Sequence, residues 1–422
     1  MSVPDGFKVS EVGVIPEDWD VKKLGELVIK IVGGGTPSRN IKEYWNGKIY
    51  WATVKDLNSF NPCLTQETIT KEGLNSSASN LIPKGNLIIS TRMAVGKVVI
   101  YDVDVAINQD LKAICIKPDI DTQFLFFYFI ELSNKIDFLT SGSTVKGIVL
   151  EDLKNLQIPL PSLPEQKAIA QSLSDVDTLI TALDQVITKK RNIKQGTMQQ
   201  LLTGEKRLPG FNDELEVKKL EDIADSKIKW SITGGPFGSN LKSSDYTADG
   251  IRIIQLQNIG DGIFLDDYQI YTSENKANEL LSCNIYPGEI ILSKMGDPVA
   301  RACLIPNIEK RYLMCSDGIR LVVDNQLYDK KFIHDYINSK YFRNQAIDAS
   351  TGSTRMRIGL QDLKKLTLLV PLLPEQQAIA QVLSDMDKEI EALEKKRDKY
   401  KAIKQGMMQE LLTGKTRLIS SS

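Results

Sequence analysis

Two stretches of the chain place apolar residues at alternating spacings of four and three. In the first these are Ile169, Leu173, Val176, Ile180, Leu183 and Ile187; in the second they are Ile379, Leu383, Met386, Ile390 and Leu393. A 3.5-residue period keeps one narrow stripe facing a partner helix, so both stretches are predicted to be long helices that meet along a coiled-coil seam. The stripe breaks at Lys190 in one and at Arg397 in the other, where it resumes at Tyr400 and Met407. Start and stop signals flank both. Pro164 and Pro374 suit a first helical turn, Glu165 and Glu375 complement its positive dipole end, and Gly204 and Gly414 suit C-terminal caps. At 1.5 Å per residue, about 40 residues make a helix of roughly 60 Å, which reads as a spacer rather than a core element. Two such helices with matching seams are expected to pack antiparallel and to hold the intervening domains at opposite ends.

The matching stripes belong to a longer repeat. Gly142 to Leu208 returns as Gly352 to Leu418 at a constant offset of 210 and without a gap. Leu163-Pro164-Glu165-Gln166 answers Leu373-Pro374-Glu375-Gln376, and Leu201-Leu202-Thr203-Gly204 answers Leu411-Leu412-Thr413-Gly414. So long a period is outside the roughly 20–50 residues of a solenoid unit, which leaves a duplicated module with pseudo-twofold character. Upstream of each helix lie about 160 residues whose two versions are only weakly alike. Short β-rich runs match in both, Ile49–Val54 with Ile251–Leu256 and Asn86–Ser90 with Glu289–Ser293. Helical Phe124–Tyr128 matches Phe332–Tyr336. The expected fold class is therefore α/β (α+β): two globular α/β domains, 1–162 and 205–372, separated by two long antiparallel coiled-coil helices, 163–204 and 373–422 with the C-terminal tail.

Composition narrows the class without naming a chemistry. The chain of 422 residues is 42% apolar and 25% charged, enough core material for two or three domains with an ordinary soluble surface. The longest strongly apolar run, Phe124–Ile130, is far short of the roughly 20 residues that cross a bilayer, so no membrane association is expected and the default compartment is the cytoplasm. Five cysteines without C-x-x-C spacing argue against a disulfide framework and against zinc; no metal site is expected. A net charge of −1 is neutral evidence about nucleic acid, which needs a local basic face rather than a basic total.

Catalytic signatures are scarce. The only histidine, His334, aligns with Phe126 and is expected at a helix surface or boundary rather than as a general base. Gly414-Lys415-Thr416 imitates the end of a phosphate-binding loop but lacks the upstream glycine and reads as a helix cap. No catalytic residue is assigned. Polar loop clusters are richer and supply candidate DNA contacts: Thr36, Ser38, Arg39, Asn40, Lys55, Asp56, Thr91 and Arg92 in the first half, and Asn240, Lys242, Gln257, Asn258, Lys294, Arg355 and Arg357 in the second. Arg and Lys recognise guanine, Asn and Gln adenine, and Asp cytosine, although phosphate positioning uses the same side chains. Arg39, Lys55, Arg92, Gln257, Lys294 and Arg357 rank first. Lys55-Asp56 aligns with Gln257-Asn258, a changed pair at a matched site, as two readers of different half-sites would show. The charge runs Lys189-Lys190-Arg191 and Lys395-Lys396-Arg397 on the two helices read as a solvated face rather than as DNA contacts.

Divergent domain, Leu-Pro-Glu-Gln helix, divergent domain, Leu-Pro-Glu-Gln helix: in this order, over nearly its whole length, the chain resembles the specificity subunit of Type I restriction-modification systems. The strings Leu163–Gln171 and Gln195–Gly204 with their copies, and the loops Gly34–Ser38 and Gly235–Lys242, carry the resemblance. It implies that each globular half is a target recognition domain reading one half of a bipartite double-stranded DNA site. The paired helices would set the unread gap and dock two methyltransferase subunits, to which restriction-translocase subunits add. It also implies that the chain is not itself an enzyme and binds no cofactor, S-adenosylmethionine, ATP and Mg being held by partner subunits that methylate a flipped adenine and cleave DNA. A protein-interaction scaffold built on the helical hairpin, without DNA, is the alternative.

Overall fold

The computed structural model describes residues 3–92, 95–133, 147–352 and 355–419. The first residues of the repeat, Gly142 to Lys146, lie outside that range, as do Ser353 and Thr354 of its copy. The chain forms two compact units, Met1–Asp184 with Lys395–Ser422, and Gln185–Glu394. Each unit therefore takes one globular half, part of its own long helix and part of the other.

In the first unit a four-stranded sheet runs Glu67–Ile69, Trp45–Ala52, Val105–Ile107, Asn80–Ile82, and a second runs Val28–Gly33, Leu111–Ile116, Leu87–Ser90, Val98–Ile100. One strand pair is parallel, with Trp51 opposite Ala106. The second unit repeats the plan. Ile270–Thr272, Ile251–Ile254, Tyr312–Met314 and Asn284–Ile285 form the counterpart of the first sheet, extended by Tyr246–Thr247, and Ile253 faces Leu313 across the corresponding parallel pair. Ile232–Gly234, Gly318–Leu321, Ile290–Ser293 and Ala302–Leu304 form the counterpart of the second. A two-stranded ribbon ties the segment before each long helix to the start of its domain, Gln157–Leu160 on Asp20–Lys23 and Thr367–Val370 on Glu216–Lys219. The weak sequence likeness of the halves thus conceals one topology used twice.

The long helices span Leu163–Leu202 and Leu373–Leu411. Gly204 and Gly414 follow them at φ of 73° and 69°, the left-handed conformation of a C-terminal cap, which a side chain would strain. Antiparallel packing is visible inside each unit. In the first, Asp177 pairs with Lys404 at 2.6 Å and Asp184 with Arg397 at 3.3 Å; in the second, Asp387 pairs with Lys194 and Glu389 with Lys190 at 2.7 Å. The Asp177–Lys404 and Lys194–Asp387 pairs are the same contact displaced by the repeat offset. The charge runs are thus partly paired across the helices: Lys190, Arg191 and Arg397 each meet a carboxylate of the opposite helix.

The seam does two jobs. Ile180, Leu183 and Ile390 are buried along the paired helices, while Val176, Met386 and Leu393 are partly covered. Ile169 and Leu173, at 1% and 0% exposure, instead join the core of the first unit with Met408, Leu411 and Leu412 of the opposite helix. Ile379 and Leu383 join the core of the second with Leu201 and Leu202. The helices are spacers in their middles and core elements at their ends, because the apolar stripe continues past the length over which the other helix alone covers it.

Candidate nucleic-acid interface

The glycine-rich loops are set by close backbone packing. A Cβ on Gly34 would lie 1.9 Å from the Ile107 carbonyl oxygen, and one on Gly235 1.7 Å from that of Cys315, so neither position accepts a side chain. In the first unit Trp51 Nε1 and Ser79 Oγ both donate to the Gly35 carbonyl, at 3.2 and 2.8 Å, and pin the loop that presents Thr36 and Ser38. Exposed Thr36 donates to Gln109 Oε1 at 2.6 Å, while buried Thr91 donates to the backbone of neighbouring Asp110. Asn40 and Arg92 are exposed.

Arg39 stacks on Trp45, its guanidinium carbon 3.8 Å from the ring centre, and makes a two-pronged ion pair with Glu67. That pairing holds the Glu67 carboxyl below the usual range, with nearby Lys55 acting in the same sense. Arg39, Lys42, Trp45, Asn46 and Glu67 line a cleft of about 330 Å³. Arg39 is pre-oriented by stacking, but half its fork is occupied by a carboxylate that DNA would have to compete with.

In the second unit Asn240, Lys294 and Arg357 come together in a larger cleft of about 880 Å³, whose walls also carry Phe237, Glu279 and Ser316. Lys294 donates to the Ser316 carbonyl at 3.0 Å, and Arg357 pairs with Asp317 at 3.1 Å. Burial, then the Arg357 charge, pulls the Lys294 ammonium below the ordinary lysine range. Lys242 and Arg355 are exposed two residues away from Asn240 and Arg357 respectively.

Besides Thr91, two candidates are committed to the fold. Asp56 is 4% exposed and accepts from the Thr53 amide and hydroxyl and from the Gln66 amide. Asn258 is 0% exposed, accepts from the Gln255 amide and donates to the carbonyls of Leu265 and Tyr268. Both cap the same short turn in the two units, and the exposed difference at this matched site falls on their neighbours, Lys55 and Gln257. His334, expected at a helix surface or boundary, is instead buried. It is 5% exposed, with Nδ1 on Asp335 and Nε2 facing the Asn338 amide, so both ring nitrogens have partners inside the unit. Among the described residues no group of three or more His, Cys, Asp or Glu is placed to hold a metal, and no helix is long and apolar enough to cross a membrane.

A family model described as Type I restriction modification DNA specificity domain matches residues 16–195 and again 212–402. The chain belongs to that family. It is 25% identical to the Type I restriction enzyme MjaIX specificity subunit of Methanocaldococcus jannaschii, over 98% of this chain and 96% of that one. It is 31% identical to the EcoR124I/EcoR124II specificity subunit of Escherichia coli over 45% of this chain and 46% of that one. Among solved structures, the fold is shared with the S subunit of M. genitalium at a TM-score of 0.55 and 16% identity, covering 97% and 98% of the two chains. A chain from a study of type I R-M complex assembly matches at 0.61 and 17%, covering 95% and 99%.

The repeated Leu-Pro-Glu-Gln string has a structural reason that the helix-dipole reading missed. Glu165 and Glu375 are 1% and 2% exposed at the side chain, and each is clasped by an arginine that follows the opposite helix. Arg417 reaches Glu165 at 2.6 and 2.8 Å, with Trp19 Nε1 a third donor at 3.1 Å; Arg207 reaches Glu375 through Nε at 2.7 Å and through a second nitrogen. The Gln166 and Gln376 side chains donate to the carbonyls of Pro161 and Pro371 and accept from the amides of Asp121 and Asp329. The signal was in the sequence: Arg207 and Arg417 recur at the same offset of 210 as the glutamates.

Proposed function

We propose that this chain is the DNA-reading subunit of a Type I restriction-modification complex, with residues 1–162 and 205–372 each reading one half of a bipartite site in double-stranded DNA. Residues 163–204 and 373–422 then set the unread gap and dock two methyltransferase subunits, with restriction-translocase subunits joining that core. Adenine methylation and cleavage fall to those partners, which hold S-adenosylmethionine, ATP and Mg. The observation that carries the reading is one strand plan used twice on one repeated helix frame, with different side chains at matched loop positions: Thr36 and Phe237, Lys55 and Gln257. A scaffold needs no such difference.

In this reading the exposed and half-buried candidates are the DNA contacts: Thr36, Ser38, Arg39, Asn40, Lys55 and Arg92 in the first domain, and Asn240, Lys242, Gln257, Lys294, Arg355 and Arg357 in the second. The test is to co-express the chain with its methyltransferase in a methylation-free host and map N6-methyladenine at single-base resolution, omitting this chain as control. A bipartite motif with a fixed gap that appears only with the chain present is expected. Absence of any motif, with a methyltransferase competent beside another specificity chain, would overturn the proposal.

A further inference from the structure

Each unit delivers one lysine ammonium to the same place in its strand plan, but from a different strand. The sheets correspond in register: Lys112 stands opposite Gly33 where Ile319 stands opposite Gly234, and Leu111 opposite Ser90 where Gly318 stands opposite Ser293. Lys112 is therefore matched by Ile319, and Thr91, the residue after Ser90, is matched by Lys294. The lysine has changed strands while its ammonium has kept its place. A Cβ on Gly33 would lie 3.0 Å from Lys112 Nζ, and one on Gly234 2.6 Å from Lys294 Nζ, so the same bare glycine makes room for each. Lys112 donates to the Gln109 carbonyl at 3.3 Å and Lys294 to the Ser316 carbonyl at 3.0 Å. Those acceptors are matched too, each lying two residues before the strand that follows. The alternative positions hold buried residues, Thr91 bonded to the Asp110 backbone and Ile319 fully enclosed. Both lysines are half-buried, and a single neutral oxygen leaves each ammonium with unused donors. The neighbouring carboxylates face other groups, Asp110 the Asn108 side-chain amide and Asp317 Arg357, both at 3.1 Å. Stapling a carbonyl needs no charge, since any neutral donor or water satisfies it. An anion common to both half-sites does need one. The phosphate backbone is that anion, present whatever the bases are, and lysine holds phosphate as a point charge that one flexible stem delivers as well as another.

We propose that Lys112 and Lys294 are equivalent phosphate anchors, one for each half-site, which position the two domains on the duplex without reading bases. This rests on the DNA-reading function above, and the experiment separates the two. In the assembled complex with its methyltransferase subunits, the wild-type methylation map comes first; a wild type without a bipartite motif overturns the functional reading before any variant is built. With that motif in hand, binding is measured by fluorescence anisotropy on a duplex carrying the site and on an unrelated duplex, across a series of salt concentrations. K112M and K294M keep the apolar stem and lose the charge. Each is expected to flatten the slope of log affinity against log salt by about 0.9, and the double variant by about twice that. The fold-loss of affinity should be the same on both duplexes and the methylated motif unchanged. K112R and K294R, which keep the charge, are expected to keep the wild-type slope. An unchanged slope in either methionine variant would overturn the proposal, a fall in thermal stability then marking that lysine as a loop staple. So would relaxed preference at a single base pair, which would make the lysine a base reader.

Discussion

Replacing Arg417 by alanine tests how the helix frame is closed. Glu165 is 1% exposed and accepts from Arg417 Nε, from a second Arg417 nitrogen and from Trp19 Nε1. Removing the guanidinium leaves a buried carboxylate with one neutral donor, and breaking a buried pair from one side typically costs about 3–5 kcal/mol. Arg417 is itself a quarter exposed, and its second partner, Asp18, is nearly half exposed, so water replaces part of the loss and the lower end, about 3 kcal/mol, applies. For a unit of this size that is a fall in melting temperature of roughly 6–12 °C. Trp19 lies 5.8 Å from the Arg417 guanidinium and is fully buried, so with Trp45, Trp51 and Trp230 replaced by phenylalanine its fluorescence reports this unit's unfolding. The double variant R417A/E165Q removes the orphaned charge and is expected to recover more than half the loss, a coupling that additive contributions would not give. A loss under about 1 kcal/mol for R417A, or strict additivity in the double variant, would refute the clasp; both lie outside what a buried unpaired carboxylate permits.

Other outcomes follow from the same geometry. D56A and N258A each leave two or more part-buried hydrogen-bonding groups without their partner, so each is expected to lower stability by about 1–3 kcal/mol in urea unfolding. A half-site that survives at reduced protein yield would confirm that they act through the fold. Inserting one heptad into both long helices keeps the seam in register and adds about 10 Å of rise, so the unread gap should lengthen by up to about three base pairs. The methylation map reads this directly, and an altered half-site in that variant would remove the ruler role.

The frame was legible in the sequence because it obeys local rules. The 4-3 stripe gave the helices, Pro164 and Pro374 their starts, and Gly204 and Gly414 their ends, each requiring only neighbours within one or two turns. What covers Ile169, Leu173, Ile379 and Leu383 was not legible, since a stripe states that one face is buried and not against what. The clasp was hidden by distance along the chain, Arg417 lying 252 residues from Glu165, and only the repeat offset could have joined them. Asp56 and Asn258 were read as base contacts because a polar side chain beside a turn serves equally to cap it or to project from it, and burial alone separates the two.

The two copies diverge where physics lets them. Four ion pairs of the helix frame keep both partners at the repeat offset: Asp177 with Lys404, Asp387 with Lys194, Glu165 with Arg417, Glu375 with Arg207. A single substitution in any buried member strands a charge, so the pairs persist together at one offset. Asp56 and Asn258 show the same restraint in the domains, differing in chemistry but keeping an oxygen where the turn's amide needs one. Next to them Lys55 and Gln257 are exposed, and Thr36 and Phe237 project from loops whose shape is fixed by glycines rather than by those side chains. Exchange at such positions costs the fold little, typically within about half a kcal/mol either way. A surface that can vary without disturbing its support is what the proposed reader of changing sequences requires.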